Sequence, residues 1–252
     1  MPVDEEILDR AREGDREAIE SVITACYPAV HRIAHALTGE PKIAGRITRF
    51  VLRRAVAAIP RWRRGIIAEN WFCHYTVLTS RVVTHRPPPP EQDLLITAGP
   101  STEPAYAAFV RAVRALPVQQ MEAFLLNLGE KLNERLLGVA MDLSTQAAGA
   151  HLAAAMTALQ GIAGDQFDSA RNALQTAYMS LTPPETIVRS ASKQEVRSIF
   201  WRRLLRRAVR RLIWLTILAA IALAAWHWRA PLRALLLEWR TAIRARAQSQ
   251  PA

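Results

Sequence analysis

Glycine and cysteine are scarce in this chain. Ten glycines in 252 residues, set against abundant alanine and leucine, favour helix over sheet. Two cysteines, Cys26 and Cys73, build no disulfide framework. Both fall on predicted buried helical positions and read as reduced core thiols, which suits a reducing compartment. The opening MPVDEEILDR is acidic and lacks a leading apolar run, so no secretory signal is expected. Catalytic motifs are missing as well: there is no phosphate-binding glycine loop, nucleophile elbow, HExxH or CxxC pair. His31 and His35 stand one helical turn apart, but no third or fourth ligand follows at metal-binding spacing. No catalytic residue, metal or cofactor is therefore expected, and the chain reads as a non-enzyme.

Half the residues are apolar, enough for a real core. The net charge of +11 is distributed unevenly. From Trp201 onward there are eleven arginines and one acid, Glu238, which leaves residues 1–200 at +1. Within those, residues 1–41 carry −5, residues 42–86 carry +9 and residues 91–200 carry −3. Two basic zones result, one in the middle of the first domain and one near the C-terminus.

Apolar periodicity and stop signals predict an all-α fold. Asp4 to Ala11 starts a helix with acids in its first turn. Gly14 ends it and Asp15 can cap the next. Ile19, Val22, Ile23, Cys26, Tyr27, Val30, Ile33 and Leu37 then repeat at helical spacing until Thr38-Gly39. A third helix, about Lys42 to Ile59, buries Ile43, Ile47, Val51 and Ala55 and turns Arg46, Arg49, Arg53 and Arg54 outward. A loop with Arg61, Trp62, Arg63 and Arg64 leads to a fourth helix carrying Trp71, Phe72, His74 and Tyr75.

The run ILDRAREGDREAIESVITACYPAVHRIAHALTGEP resembles the opening of region 2 in extracytoplasmic-function sigma factors of the sigma-70 family. The REGDREA turn, the YP inside the second helix and the LTGEP stop carry the likeness. AIPRWRR followed by NWFCHYTVLTSR resembles that family's loop and aromatic helix, which engage promoter DNA. Aromatics stack on unpaired bases while arginines neutralise phosphates. The resemblance thus implies DNA contacts at Arg61, Trp62, Arg63, Arg64, Trp71 and His74. The alternative, that Trp71 is core and the arginines a solvated face, stays open. The third helix, with Arg46, Arg49 and Arg53, is the family's polymerase-facing helix. Its usual acidic motif is replaced by AGRITRFVLRRA, opposite in sign to the family's usual contact.

Residues 87–104 are proline-rich, lack helical periodicity and read as an extended, semi-stiff linker. Residues 105–160 are helical again and resemble region 4. LP at 116–117 opens one helix and MEAFLLNL follows the family's apolar rhythm. Leu143-Ser144 matches the start of a recognition helix, with Ser144 as its N-cap. The spacing fits a helix-turn-helix. Asp142 stands at the usual turn glycine and tolerates a left-handed conformation. Thr145 and Gln146 are candidates to read bases. No lysine or arginine lies between Ser144 and Gln160, and His151 is the nearest substitute.

Residues 161–200 read as a helical spacer broken at Pro183-Pro184. Residues 201–252 hold an arginine-flanked apolar segment, about 212–228, in which only Thr216 is polar up to Trp226. It reads as a short single-pass transmembrane helix, with Trp214, Trp226 and Trp228 at the interfaces. Its arginine flank predicts residues 1–200 on the cytoplasmic side of a bacterial inner membrane. A tail with Leu232, Leu235, Leu236, Trp239 and Ile243 reads as amphipathic and lying along the lipid surface.

The sequence accordingly predicts an all-α protein: domain 1–86, linker 87–104, domain 105–160, spacer 161–200, and a membrane segment with its tail, 201–252. The resemblance implies a membrane-tethered sigma factor that binds core RNA polymerase and promoter DNA, with an anti-sigma or envelope-signalling protein as further partner. The competing reading is a membrane-anchored interaction module that keeps the sigma-like helices without promoter binding.

Overall fold

The computed structural model describes residues 3–83, 89–99 and 104–248, and several side chains from 202 onward lie outside the described residues. Helices alone make up the regular structure among the described residues. They divide into two units, Met1–Ile199 and Phe200–Ala252.

Local chemistry explains most boundaries. Helix α1 (Glu5–Arg12) starts where the Asp4 carboxylate accepts the Glu6 N–H, satisfying a donor that has no intrahelical partner. Helix α2 (Arg16–Thr38) starts at Asp15, which accepts from both Glu17 and Ala18, and stops at Gly39 with φ 68°. A side chain with Cβ resists that left-handed geometry, which makes glycine the natural terminator. Helix α3 (Pro41–Ala58) opens on proline, whose missing N–H costs nothing in the first turn. A 3-10 turn, Ile59–Arg61, leads toward α4 (Ala68–Val83).

The proline-rich segment is not an extended linker in its described part. Pro90–Gln92 form a 3-10 turn and Leu94–Thr97 form α5, with Asp93 as N-cap. Leu95 is buried, its N–H bonds the Asp93 carboxylate, and Leu94 N–H donates to Gly39 O at 3.0 Å. The Arg114 guanidinium holds Asp93 at 2.7 Å and donates to Ala36 O at 2.6 Å. Long-range pairing with buried partners docks a stretch whose own sequence carries no helical period. Residues 87–88 and 100–103 of the expected linker lie outside the described residues.

Helices α6 (Pro104–Ala115), α7 (Val118–Glu130), α8 (Glu134–Met141) and α9 (Thr145–Ala163) follow, then α10 (Phe167–Ser180) and α11 (Glu185–Gln248). One apolar cluster joins Ile33 and Leu37 of α2, Val77 of α4, Leu95, Phe109, Phe124, Leu128, Leu159 and Tyr178. Helices from before and after the proline-rich segment therefore share a core. Helix α10 corrects the spacer expectation, because Phe167, Leu174, Ala177 and Tyr178 are buried in that core. The Tyr178 ring lies against Gly129, where a Cβ would collide with it.

Ion pairs fasten the two halves. Arg32 on α2 grips Glu130 with two bonds, 2.9 and 2.8 Å, and Tyr178 donates to the same carboxylate at 3.0 Å. Arg81 on α4 pairs with buried Glu122 on α7 at 2.5 Å. A buried carboxylate keeps its charge only when such partners replace its lost water. Cys26 and Cys73 are free and buried, and burial pushes the Cys73 thiol up to about 12.

The second unit is helical throughout its described part, and side chains such as Leu212, Trp214, Leu218 and Ile221 are exposed. Among the described residues, no helix is long and apolar enough to cross a membrane. That finding overturns the single-pass expectation, and the inner-membrane placement with residues 1–200 cytoplasmic goes with it. The physical reason is length. Even the whole expected segment, 212–228, rises only about 26 Å at ~1.5 Å per residue, short of a hydrocarbon core of roughly 30 Å. The side chains of Trp228, Leu232, Leu235, Leu236 and Ile243, on which the interface and tail expectations rested, lie outside the described residues; Trp239 is exposed.

Candidate nucleic-acid interface

Helices α8 and α9 form a tight helix-turn-helix. Asp142 takes φ 60°, which reverses the chain after one short helix. The Ser144 hydroxyl accepts the Ala147 N–H at 3.1 Å and starts the next. Gly138 permits the close approach: a Cβ there would stand 2.9 Å from Leu143 O. Ala148, Ala155 and Leu159 face the core. Ser144, Thr145 and Gln146 remain exposed at the N-terminal end of α9, where unpaired N–H groups favour anions. His151 is half-buried one to two turns further on. The outward face between them, with Ala150, Ala153 and Ala154, bears no charge.

The basic segment after α3 exposes its arginines and buries its tryptophan. Arg61, Arg63 and Arg64 are exposed. Trp62 is buried, only 8% exposed, so it is not the stacking platform that the sequence pattern implied. After the 3-10 turn the backbone is extended at Trp62 (φ −67°, ψ 133°), and extended chain alternates its side chains. The indole drops inward against Trp71, centroids 5.2 Å apart, and Phe72, 6.3 Å away, while its arginine neighbours point to water. Trp71 is half-buried and lies 4.1 Å from the Tyr75 ring.

The fold brings two members of each set of predicted DNA contacts to one place. A groove of about 780 Å³ is lined by Trp71 and His74 from α4 and by Ser144 and Thr145 at the α9 start. Arg135 and Asp142 complete its polar rim. His74 Nδ1 lies 3.1 Å from Val139 O, so α4 and α8 are tied directly. Gln146 and His151 are not among the groove residues, nor are Arg61, Arg63 and Arg64.

Of the three arginines expected to face polymerase, Arg46 and Arg49 are exposed and Arg53 is engaged. Its guanidinium bonds the Glu195 carboxylate at 2.6 and 3.3 Å. Glu195 is itself buried and lies 142 residues away in sequence, beyond the reach of any local pattern. Arg54, unassigned from sequence, sits 4.9 Å above the Tyr75 ring. Its signal was present in the spacing of Arg46, Phe50 and Arg54, which puts the three on one stripe of α3.

His31 and His35 stack with ring centroids 3.8 Å apart. Their Nδ1 atoms lie 3.0 Å from Leu181 O and 2.8 Å from His31 O, respectively. Burial, with His35 alongside, lowers the His31 imidazole to about 4. Among the described residues no group of three or more His, Cys, Asp or Glu side chains gathers to hold a metal. The chain matches no protein-family model and no curated protein.

Proposed function

We propose that the chain is a sigma-type transcription factor, which joins core RNA polymerase and directs it to promoters without chemistry of its own. The observation that carries this reading is the α8–α9 helix-turn-helix with its exposed Ser144-Thr145-Gln146 start. Such a helix can enter a major groove by its N-terminal end. The exposed Arg61, Arg63 and Arg64 of the same unit supply phosphate neutralisation. DNA contact at Trp62 is not part of the proposal, because its ring is spent on the core. The partners proposed are core polymerase and promoter DNA, with an anti-sigma-type regulator as a third.

The test is a pull-down of core RNA polymerase with the full chain, paired with promoter-dependent transcription by an Arg61→Ala, Arg63→Ala, Arg64→Ala variant. These side chains are exposed, so the fold survives their loss. Stoichiometric polymerase binding is expected, with transcription lost in the variant. Its DNA affinity should depend less on salt, the slope falling by about 1 per arginine removed. Absence of polymerase binding at low salt would refute the reading.

A second reading, an interaction module that no longer binds promoters, is favoured by the uncharged outward face of α9. It predicts no change in nucleic-acid affinity when the three arginines are removed.

A further inference from the structure

Between α3 and α4 lies an open groove of about 540 Å³, of whose lining the sigma-type reading assigns Arg46 alone. Its floor and walls are Ile47, Phe50, Tyr75, Leu78, Val82 and Val83, with the Thr79 side chain between them. Phe50 is 53% exposed and Val82 75% exposed, and Val83 beside them is exposed as well. Exposed apolar side chains gathered in a concave site mark a binding surface. No contact within the described residues covers them.

Charge identifies the occupant. Arg46 and Arg54 stand at the rim, one on either side of Phe50 on the same stripe of α3. No acid lines the groove among the described residues. Glu69 is the single acid between Lys42 and Arg86, and it is taken up by the Val3 N–H at 2.9 Å. An apolar floor between two cations that face no carboxylate of the described lining, Arg54 seated over the Tyr75 ring, selects a partner with an apolar stripe flanked by carboxylates. Length points to a helix. Arg46 to Arg54 and Tyr75 to Val83 each lie eight residues apart, about 12 Å at ~1.5 Å per residue. Three anchors at i, i+4 and i+7 of a docked helix span about 10 Å, which fits.

We propose that this groove docks an acidic amphipathic helix of another protein, Phe50 and Val82 meeting its apolar stripe and Arg46 and Arg54 its carboxylates. A single-stranded nucleic acid is the other anionic candidate. The lining disfavours it, since aliphatic Ile47, Leu78, Val82 and Val83 outnumber the aromatic rings on which bases stack. The proposal does not depend on polymerase binding and is tested without polymerase.

The probe is a fluorescein-labelled 18-residue helical peptide with leucine at the three anchor positions and glutamate on both flanks. Two controls replace every glutamate by lysine or every leucine by alanine. Fluorescence anisotropy is measured against the full chain. Saturable binding of the Glu/Leu peptide alone is expected. Phe50→Ser and the pair Arg46→Glu, Arg54→Glu should each weaken it about tenfold or more, as hot-spot losses do. All three positions line the groove rather than the core, and circular dichroism on each variant verifies that the helices persist. The proposal is overturned if the lysine peptide binds equally well, if Phe50→Ser leaves affinity unchanged, or if no saturable binding occurs. A single-stranded oligonucleotide that binds through Phe50 and Arg54 while the peptide does not would also overturn it.

Discussion

Replacing Arg114 by methionine should be among the most damaging single changes in the first unit. Arg114 and Asp93 are 6% and 2% exposed, so neither charge has water to fall back on. The guanidinium gives two bonds to Asp93, 2.7 and 3.0 Å, and one of 2.6 Å to Ala36 O near the end of α2. Methionine keeps most of the apolar stem but leaves the carboxylate buried without a cation and the carbonyl without that donor. Stranding one partner of a buried pair costs about 3–5 kcal/mol. A unit of this size shifts by roughly 2–4 °C per kcal/mol, so a loss of about 6–20 °C in Tm is expected. The assay is urea and thermal unfolding of the full chain followed by circular dichroism. Limited proteolysis should show earlier cleavage around residues 84–103, since the pair holds α5 against α2 and α6. Asp93→Asn combined with Arg114→Met should recover part of the loss, because the stranded charge is gone. A loss below about 1 kcal/mol, with the proteolytic pattern unchanged, would refute the inference that this pair docks the proline-rich segment.

Two further predictions concern pH and the helix-turn-helix. The folded His31 value of about 4 lies below the ordinary 6.5, so between those values the unfolded chain binds the extra proton. Stability is therefore full above about pH 6.5 and falls as pH drops toward 4, by about 2 kcal/mol after discounting for partial solvent access. In His31→Gln that acid-side slope should shrink in urea titrations at stepped pH, and an identical slope would exclude His31 as its source. Gly138→Ala should destabilise by about 1–3 kcal/mol, because the new methyl meets the rigid Leu143 carbonyl rather than a flexible side chain. An unchanged urea midpoint would show that the turn has slack.

What the sequence determined by itself is local. The all-helical class, the starts at Asp4, Asp15 and Ser144, the stop at Gly39 and the turn at Asp142 follow from periodicity and from which side chains can satisfy the free N–H groups at a helix end. Those determinants act within a few residues, so they are readable in order along the chain. The exposed arginines at 61, 63 and 64 were legible for the same reason. The tertiary structure decided everything that depends on which faces meet. It turned Trp62 inward, because an indole gains more against Trp71 and Phe72 than in water. It docked Leu94–Thr97 through Asp93 and Arg114, took α10 into the core through Tyr178, and tied Arg53 to Glu195. It also set α4 against α8, placing Trp71 and His74 across a groove from Ser144 and Thr145, and left Phe50 and Val82 uncovered. Each of these rests on partners far apart in the chain, brought together by burial whose gain belongs to the packed faces jointly and to no single stretch of sequence.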